Sequence, residues 1–220
     1  MKLWSDSFRD CGLIPADHAF AAIDPDARVR LAGNRNPHLA WDEVPSGTES
    51  LALFCFDVDA PLDAGGVNRE GLTLAEQLPR GDFFHWTVID LPAALRTLAA
   101  GAFSAQVTPR GKPGRAVAAA ADGAGRPWRE GVNDFSDWFA GDPAMAGDYY
   151  GYDGPCPPWN DERIHHYIFR LYALDVACLA LAPRFTGAQA RAAIHGHILD
   201  EAQLIGAYSL NPELALTLKT

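Results

Sequence analysis

The sequence predicts a mostly β protein, an antiparallel Greek-key β-sandwich with a few peripheral helices, one of them near the C-terminus. Three observations point there. Short apolar segments stop at Pro or Gly, several of them alternate between the two sides of an extended chain, and the links between them are long and rich in Gly, Pro, Asp and Asn. A chain of 220 residues can bury one self-sufficient core, so a single domain over residues 1–220 is expected.

Gly12, Pro15, Pro25, Gly33 and Pro37 punctuate the first forty residues, leaving 29–31 and 39–41 as the strand fragments. Residues 51–56, Leu-Ala-Leu-Phe-Cys-Phe, form a nearly continuous apolar run, as a strand covered on both faces requires. That run ends in Asp57-Val58-Asp59-Ala60-Pro61, which sets two carboxylates on one side of the chain where Pro61 stops the strand. Residues 62–82 make a long excursion, in which Thr73-Leu74-Ala75-Glu76 fits a capping box and predicts a short helical turn. Residues 83–91 alternate, with His85, Thr87 and Ile89 on one side and Phe84, Trp86 and Val88 on the other. Pro92 ends this strand. A brief helix is predicted over 93–100, and 101–131 reads as loop around an alanine tract at 116–121. Asn133 to Phe139 and the Gly/Asp-rich run to Tyr150 read as another loop, held by its aromatic residues.

The prolines of Gly154-Pro155-Cys156-Pro157-Pro158 fix φ and remove backbone donors, so this segment must be a stiff loop. From His165 the chain alternates again: His165, Tyr167, Phe169, Leu171 and Ala173 share one side, His166, Ile168, Arg170, Tyr172 and Leu174 the other. A proline-walled loop thus runs into a strand whose first two same-side groups are polar donors. After a third apolar segment at 176–182, Thr186-Gly187-Ala188-Gln189 is a capping box. Ile194, Ile198, Ala202 and Ile205 follow at helical spacing, which predicts a helix over 187–208 weakened at Gly196.

A net charge of −10 argues against nucleic acid or an anionic membrane as a general surface partner, so an anionic ligand would need a local pocket. No apolar run approaches the ~20 residues of a membrane-spanning helix, and the N-terminus has no secretory pattern, so a cytoplasmic protein without stable membrane insertion is expected. Cys11, Cys55, Cys156 and Cys178 have neither metal spacing nor disulfide density and read as reduced thiols, Cys55 and Cys178 in the core and Cys156 inert at a pocket rim.

In their order and spacing these segments resemble the phosphatidylethanolamine-binding, or Raf-kinase-inhibitor-like, family in its bacterial branch. The resemblance rests on Gly33-Asn34-Arg35-Asn36-Pro37-His38-Leu39-Ala40-Trp41, Pro45-Ser46-Gly47-Thr48, Asp57-Val58-Asp59-Ala60-Pro61, His85-Trp86, Gly154-Pro155-Cys156-Pro157-Pro158, His165-His166-Tyr167 and Leu171-Tyr172-Ala173-Leu174-Asp175. It implies two antiparallel sheets in a Greek-key arrangement and a shallow anion pocket at one end. The residues it implies for that pocket are Asp57, Asp59, Pro61, His85, Gly154, Pro155, Pro157, His165 and Tyr167. Val58 stands where the family's motif usually has Pro, which loosens the strand end and leaves both carboxylates.

If the strand ends meet, two imidazoles, a phenol and backbone amides would offer the converging donors that a phosphate-sized anion needs. An Asp beside an imidazole fixes its tautomer and raises its pKa from about 6.5, keeping the ring cationic. Asp59 would meet the ammonium end of a phosphoethanolamine-like head group, Tyr152 and Trp159 would either flank the mouth or simply pack, as aromatics beside Gly-Pro loops usually do, and the 62–84 stretch would fold over the pocket or make a subunit contact. His166, on the opposite side of its strand, is taken as structural. The function expected is non-catalytic binding of a small anionic ligand, with no cofactor, as a regulatory module that modulates a kinase or another protein; a homodimer stays open. The alternative is a hydrolase or metal-dependent phosphoesterase using Asp57, His85 and His165, against which stands the lack of a nucleophile elbow.

Overall fold

The computed structural model describes residues 1–114 and 127–218; the alanine tract at 116–121 lies outside them. Strands β1 (Lys2–Trp4), β2 (Gly12–Leu13), β3 (Ala21–Asp24), β4 (Arg28–Leu31), β5 (Leu39–Asp42), β6 (Ser50–Pro61), β7 (Arg80–Pro92), β8 (Thr97–Leu98) and β9 (Arg129–Glu130) precede helix α1 (Phe135–Trp138). Then come β10 (His165–Leu174), α2 (Gly187–Ala193), β11 (Ile198–Tyr208) and α3 (Pro212–Thr217). The main sheet runs β2-β11-β10-β6-β7-β9, antiparallel except for the short parallel β2–β11 contact; a smaller sheet β1-β5-β8 and the β3–β4 hairpin lie apart from it.

Strand β6 is central and is buried on both faces, as its unbroken apolar run requires. Leu51, Leu53 and Cys55 enter one core with Leu39 and Trp41 of β5, Leu98 of β8 and Phe169 of β10. Ala52, Phe54 and Phe56 enter a second core closed by Phe185 and by Ala190 and Ile194 on and after α2. The main sheet is therefore the middle layer, with the small sheet and hairpin on one side and α2 on the other. Burying each such Leu or Phe stabilises the fold by about 1.5–3 kcal/mol.

The two-sided alternation predicted for β7 breaks at a bulge. Cys55 pairs with Trp86 but Phe56 pairs with Phe84, so His85 is one extra residue on β7. Phe84 faces the second core while Phe83 and Trp86 both face the first. His85 sits between them with its ring 5.0 Å from the Phe83 ring and 5.1 Å from Tyr167, on the same side as Trp86 rather than opposite it. The bulge turns His85 inward without moving Phe84 out of its own core.

The helix predicted over 187–208 is half helix and half strand. Helix α2 begins at the Thr186 capping box, where Gln189 N donates to Thr186 Oγ1 and Thr186 N donates to the Gln189 side chain. It stops before Gly196, whose φ of +88° reverses the chain. Beyond it β11 pairs with β10 from Leu174↔Ile198 to His165↔Tyr208. Positions four apart share a face in a strand as well as in a helix, so Ile194, Ile198 and Ala202 could not tell the two apart.

Two more predicted helices are absent, and α1 appears where a loop was expected. Leu74 exchanges backbone hydrogen bonds with the 160–162 segment, donating to Asn160 O and accepting from Glu162 N, so 73–76 is drawn into a tertiary bridge. Residues 93–100 make a turn and the short strand β8, which pairs with β5. Phe135, Trp138 and Phe139 stand at helical spacing, a signal that tells α1 from a loop. Cys178 is exposed, against its expected core position, whereas Cys55 is buried; all four cysteines are free thiols. Phe169, fully buried against the rings of Phe8 and Tyr152, gives a test of the layering: Phe169→Ala should lower unfolding free energy by about 3–5 kcal/mol in a urea titration.

Candidate functional site

The β6–β10 register sets Asp57 opposite Tyr167, so the two strands end side by side and His165, two residues before Tyr167, extends past Asp57. The β7 bulge brings His85 to the same place. Around these ends lies a cavity of about 240 Å³. Its polar side chains are Asp57, His85, His165 and Asn68, and the rest of its lining is apolar apart from backbone. The β3–β4 hairpin contributes Val29 and Leu31, α1 and its C-terminal end Phe135, Trp138 and Phe139, and the proline loop Cys156, Pro157 and Pro158. Val67 and Asn68 bring the 62–82 excursion over the pocket, and Asn160 holds it there by donating to Gly66 O and Leu72 O.

His165 is clamped between two carboxylates. Its Nδ1 lies 2.7 Å from Asp57 Oδ2 and its Nε2 3.1 Å from Asp161 Oδ2. Asp161 is in turn gripped by Arg80, Nη1 at 2.5 Å and Nη2 at 2.9 Å. Burial alone would lower the His165 pKa, but the charge of Asp57 and the hydrogen bonds to Asp161 and Asp57 outweigh it and raise the pKa to about 9. Burial would likewise raise the Asp57 pKa, and the His165 charge and hydrogen bond reverse this and hold it below the usual carboxylate value. Asp57 Oδ1 also accepts from Asp59 N at 2.8 Å. His165 is thus the expected cation, with both ring nitrogens committed to neighbours.

His85 behaves differently. Its Nδ1 donates to the backbone carbonyl of Asp153 at 2.7 Å, which fixes the tautomer and leaves Nε2. Burial lowers its pKa, and the opposing pull of Asp57 does not make up for it, so the ring is neutral near pH 7. The expected rise in pKa beside an Asp holds for His165 and fails for His85 because only His165 makes a direct contact with the carboxylate.

The remaining sequence candidates divide. Pro61 and Pro157 line the cavity; Gly154 and Pro155 stand behind it. A Cβ on Gly154 would come within 2.2 Å of His18 O, so only Gly fits, and Pro155 O accepts from Phe20 N and Ala21 N, tying the loop to β3. The Tyr167 hydroxyl is fully buried near Asp57 without a well-formed hydrogen bond, and burial, with the Asp57 charge, pushes its pKa well above 10. Asp59 points away from the cavity, to Arg163 Nε at 2.7 Å and His166 Nδ1 at 2.8 Å, which gives His166 the structural part expected of it. Tyr152 is wholly buried, donating to His18 O, and does not flank the mouth. Trp159 lies under the Arg28 guanidinium, 4.4 Å from its ring centre.

Sequence reading missed Asp153, Asp161 and Arg80. Asp153 accepts from Asn34 and Lys112 on one oxygen and from Asn133 on the other, and so anchors the carbonyl that orients His85. The partners of Asp153 are 20 to 119 positions away and Arg80 lies 81 positions from Asp161, so no local pattern marks Asp153 or Arg80, whereas Asp161, four positions before His165, carried a local signal in its i,i+4 spacing.

The geometry also bears on catalysis. Asp57 and His165 have the spacing of an acid–base dyad, but the second nitrogen faces Asp161 and not the cavity, so the ring has no free lone pair with which to activate a nucleophile. Burial pushes the Cys156 thiol up to about 12, which keeps it protonated. Among the described residues no group of three or more His, Cys, Asp or Glu side chains is placed to hold a metal ion. No helix among them is long and apolar enough to cross a membrane.

The clamp predicts a definite pH dependence. With a folded pKa of about 9 above the ordinary 6.5, His165 contributes stability that is complete below 6.5 and is lost as pH rises through about 9. Chemical denaturation of the wild type should show this alkaline loss, and Asp161→Asn should move it to lower pH; an unchanged profile contradicts the clamp.

Comparison with known proteins agrees with this architecture. The model of the phosphatidylethanolamine-binding protein family matches residues 4–209. UPF0098 protein YbhB of Escherichia coli is 30% identical over 95% of this chain and 100% of its own, and a UPF0098 protein of Methanothermobacter thermautotrophicus is 30% identical over 94% and 98%. Among solved structures, Escherichia coli YbcL, described as a new member of the mammalian PEBP family, matches with a TM-score of 0.63 at 23% identity, covering 94% of this chain and 97% of that one. A PEBP homologue from Chlamydia trachomatis matches with a TM-score of 0.57 at 25% identity over 94% and 96%. With a sheet arrangement, a strand-end cavity and a family match that runs nearly end to end, the chain belongs to the phosphatidylethanolamine-binding protein family.

Proposed function

We propose that this protein binds a small phosphate-bearing ligand without transforming it. One observation carries the reading: an apolar cavity of about 240 Å³ whose only ionisable lining side chains, apart from the Cys156 thiol, are Asp57, His85 and His165, gathered from three adjacent strands. Apolar walls with a few converging polar groups are the usual form of a small-molecule site. Aromatic walls from Phe83, Phe135, Trp138 and Phe139 suit an apolar substituent on the phosphate, and the polar end suits the phosphate itself. Neither the His165 ring, whose nitrogens are both committed, nor the protonated Cys156 thiol offers a base or nucleophile to the cavity. The four free thiols are consistent with a reducing compartment such as the cytoplasm.

Isothermal calorimetry with inorganic phosphate, phosphoethanolamine and hexyl phosphate tests this. Hexyl phosphate should bind most tightly, and His85→Ala should weaken it by about tenfold or more, the worth of one hydrogen bond to a charged group. No heat with any of the three, or turnover of p-nitrophenyl phosphate lost in His85→Ala, contradicts the proposal.

A further inference from the structure

The cavity floor narrows the chemical form of phosphate that the pocket can take. Asp57 gives one oxygen to His165 and the other to Asp59 N, and His165 gives its nitrogens to Asp57 and Asp161. The floor's charges cancel locally: Asp57 and Asp161 face His165 and Arg80. No surplus positive charge awaits a dianion there.

His85 is the exception among these groups. A carbonyl can only accept, so Nδ1, 2.7 Å from Asp153 O, carries the proton, and in the neutral ring Nε2 presents a lone pair. Nε2 makes no hydrogen bond with any described residue, and the ring lines the cavity. The titratable groups that face this ring are Asp57 on β6, His165 and Tyr167 on β10, and Asp153, whose carbonyl it meets. From α1 it meets the Phe135 ring, with Asp134 next in the chain, donor-free and bonded to Phe84 N. Burial holds the free ring neutral against the pull of Asp57.

A lone pair in an apolar cavity asks for a hydrogen-bond donor. We infer that the site selects a phosphate monoester that brings a proton to His85 Nε2, in preference to a phosphodiester carrying the same apolar group. This rests on the proposed function. A monoester has a second pKa near about 6 and can arrive as R–O–PO₃H⁻, its O–H donating to Nε2. A diester has no O–H at neutral pH and can be held at that nitrogen only if the ring itself is first protonated, which burial opposes. In either description of the bound state one proton lies between the ligand oxygen and Nε2. Above the monoester's second pKa that proton comes from solvent, so affinity falls about tenfold per pH unit.

Calorimetry of the wild-type protein with hexyl phosphate and with methyl hexyl phosphate, at about pH 8 in two buffers of different ionisation enthalpy, measures affinity and proton uptake together. The monoester should bind about tenfold or more tightly than the diester, with uptake approaching one proton. His85→Asn should bring uptake close to zero. Asp134→Asn, which removes a carboxyl whose pKa burial raises to about 6, should leave uptake unchanged. Equal affinities for the two esters, or tight monoester binding with no uptake, overturns the inference while leaving phosphate binding standing; uptake that vanishes in Asp134→Asn and persists in His85→Asn also overturns it. No binding of either ester overturns the proposed function itself.

Discussion

The buried chain of alternating charge Asp57, His165, Asp161 and Arg80 is what the pocket end of the molecule depends on. It joins the end of β6 to the start of β10, the loop before β10 and the start of β7. A carboxylate buried alone is heavily penalised, and removing one partner of a buried pair costs about 3–5 kcal/mol because the other charge is stranded. Each member here satisfies the next, so the four segments must be in place together. The chain is also nearly neutral, which makes the pocket floor a rigid polar surface rather than a positive well.

Two separate devices then set the chemistry of that floor. The clamp removes His165 from service as a donor, although it lines the cavity and carries charge. The β7 bulge and the Asp153 carbonyl deliver His85 to the cavity with one nitrogen committed and the other without a hydrogen bond to any described residue. Asp153 is itself held by Asn34, Asn133 and Lys112, so the orientation of one imidazole draws on four distant parts of the chain. Around this floor much of the wall comes from elements outside the main sheet, the β3–β4 hairpin, α1, the proline loop and the 62–82 excursion, joined by Pro61 of β6 and Phe83 of β7.

Much of this was legible in the sequence. The unbroken apolar run at 51–56, the prolines that end β6 and β7, and the alternation from His165 fixed the central strands, because burial on one or both faces leaves a period that can be read directly. What failed was local propensity against tertiary pairing. Ile194, Ile198 and Ala202 fit both a helix and a strand, and only pairing with β10 decides for β11. Thr73-Leu74-Ala75-Glu76 has a helix start, and pairing of Leu74 with the 160–162 segment overrides it. At the site, Asp57, His85 and His165 were found and brought together, while Asp161 and Arg80 were not. The Asp57 and Arg80 contacts reach across 108 and 81 residues and leave no trace in spacing, the Asp161–His165 contact spans only four, and the bulge that turns His85 inward breaks the alternation of its strand.

The most direct test of this arrangement is a crystal structure of the protein with hexyl phosphate bound. The phosphorus-bound oxygens should lie within hydrogen-bond distance of His85 Nε2, the alkyl chain against Phe135 and Trp138, and His165 still between Asp57 and Asp161. A phosphate held by a His165 that has left Asp161, or one seated away from His85, would contradict it.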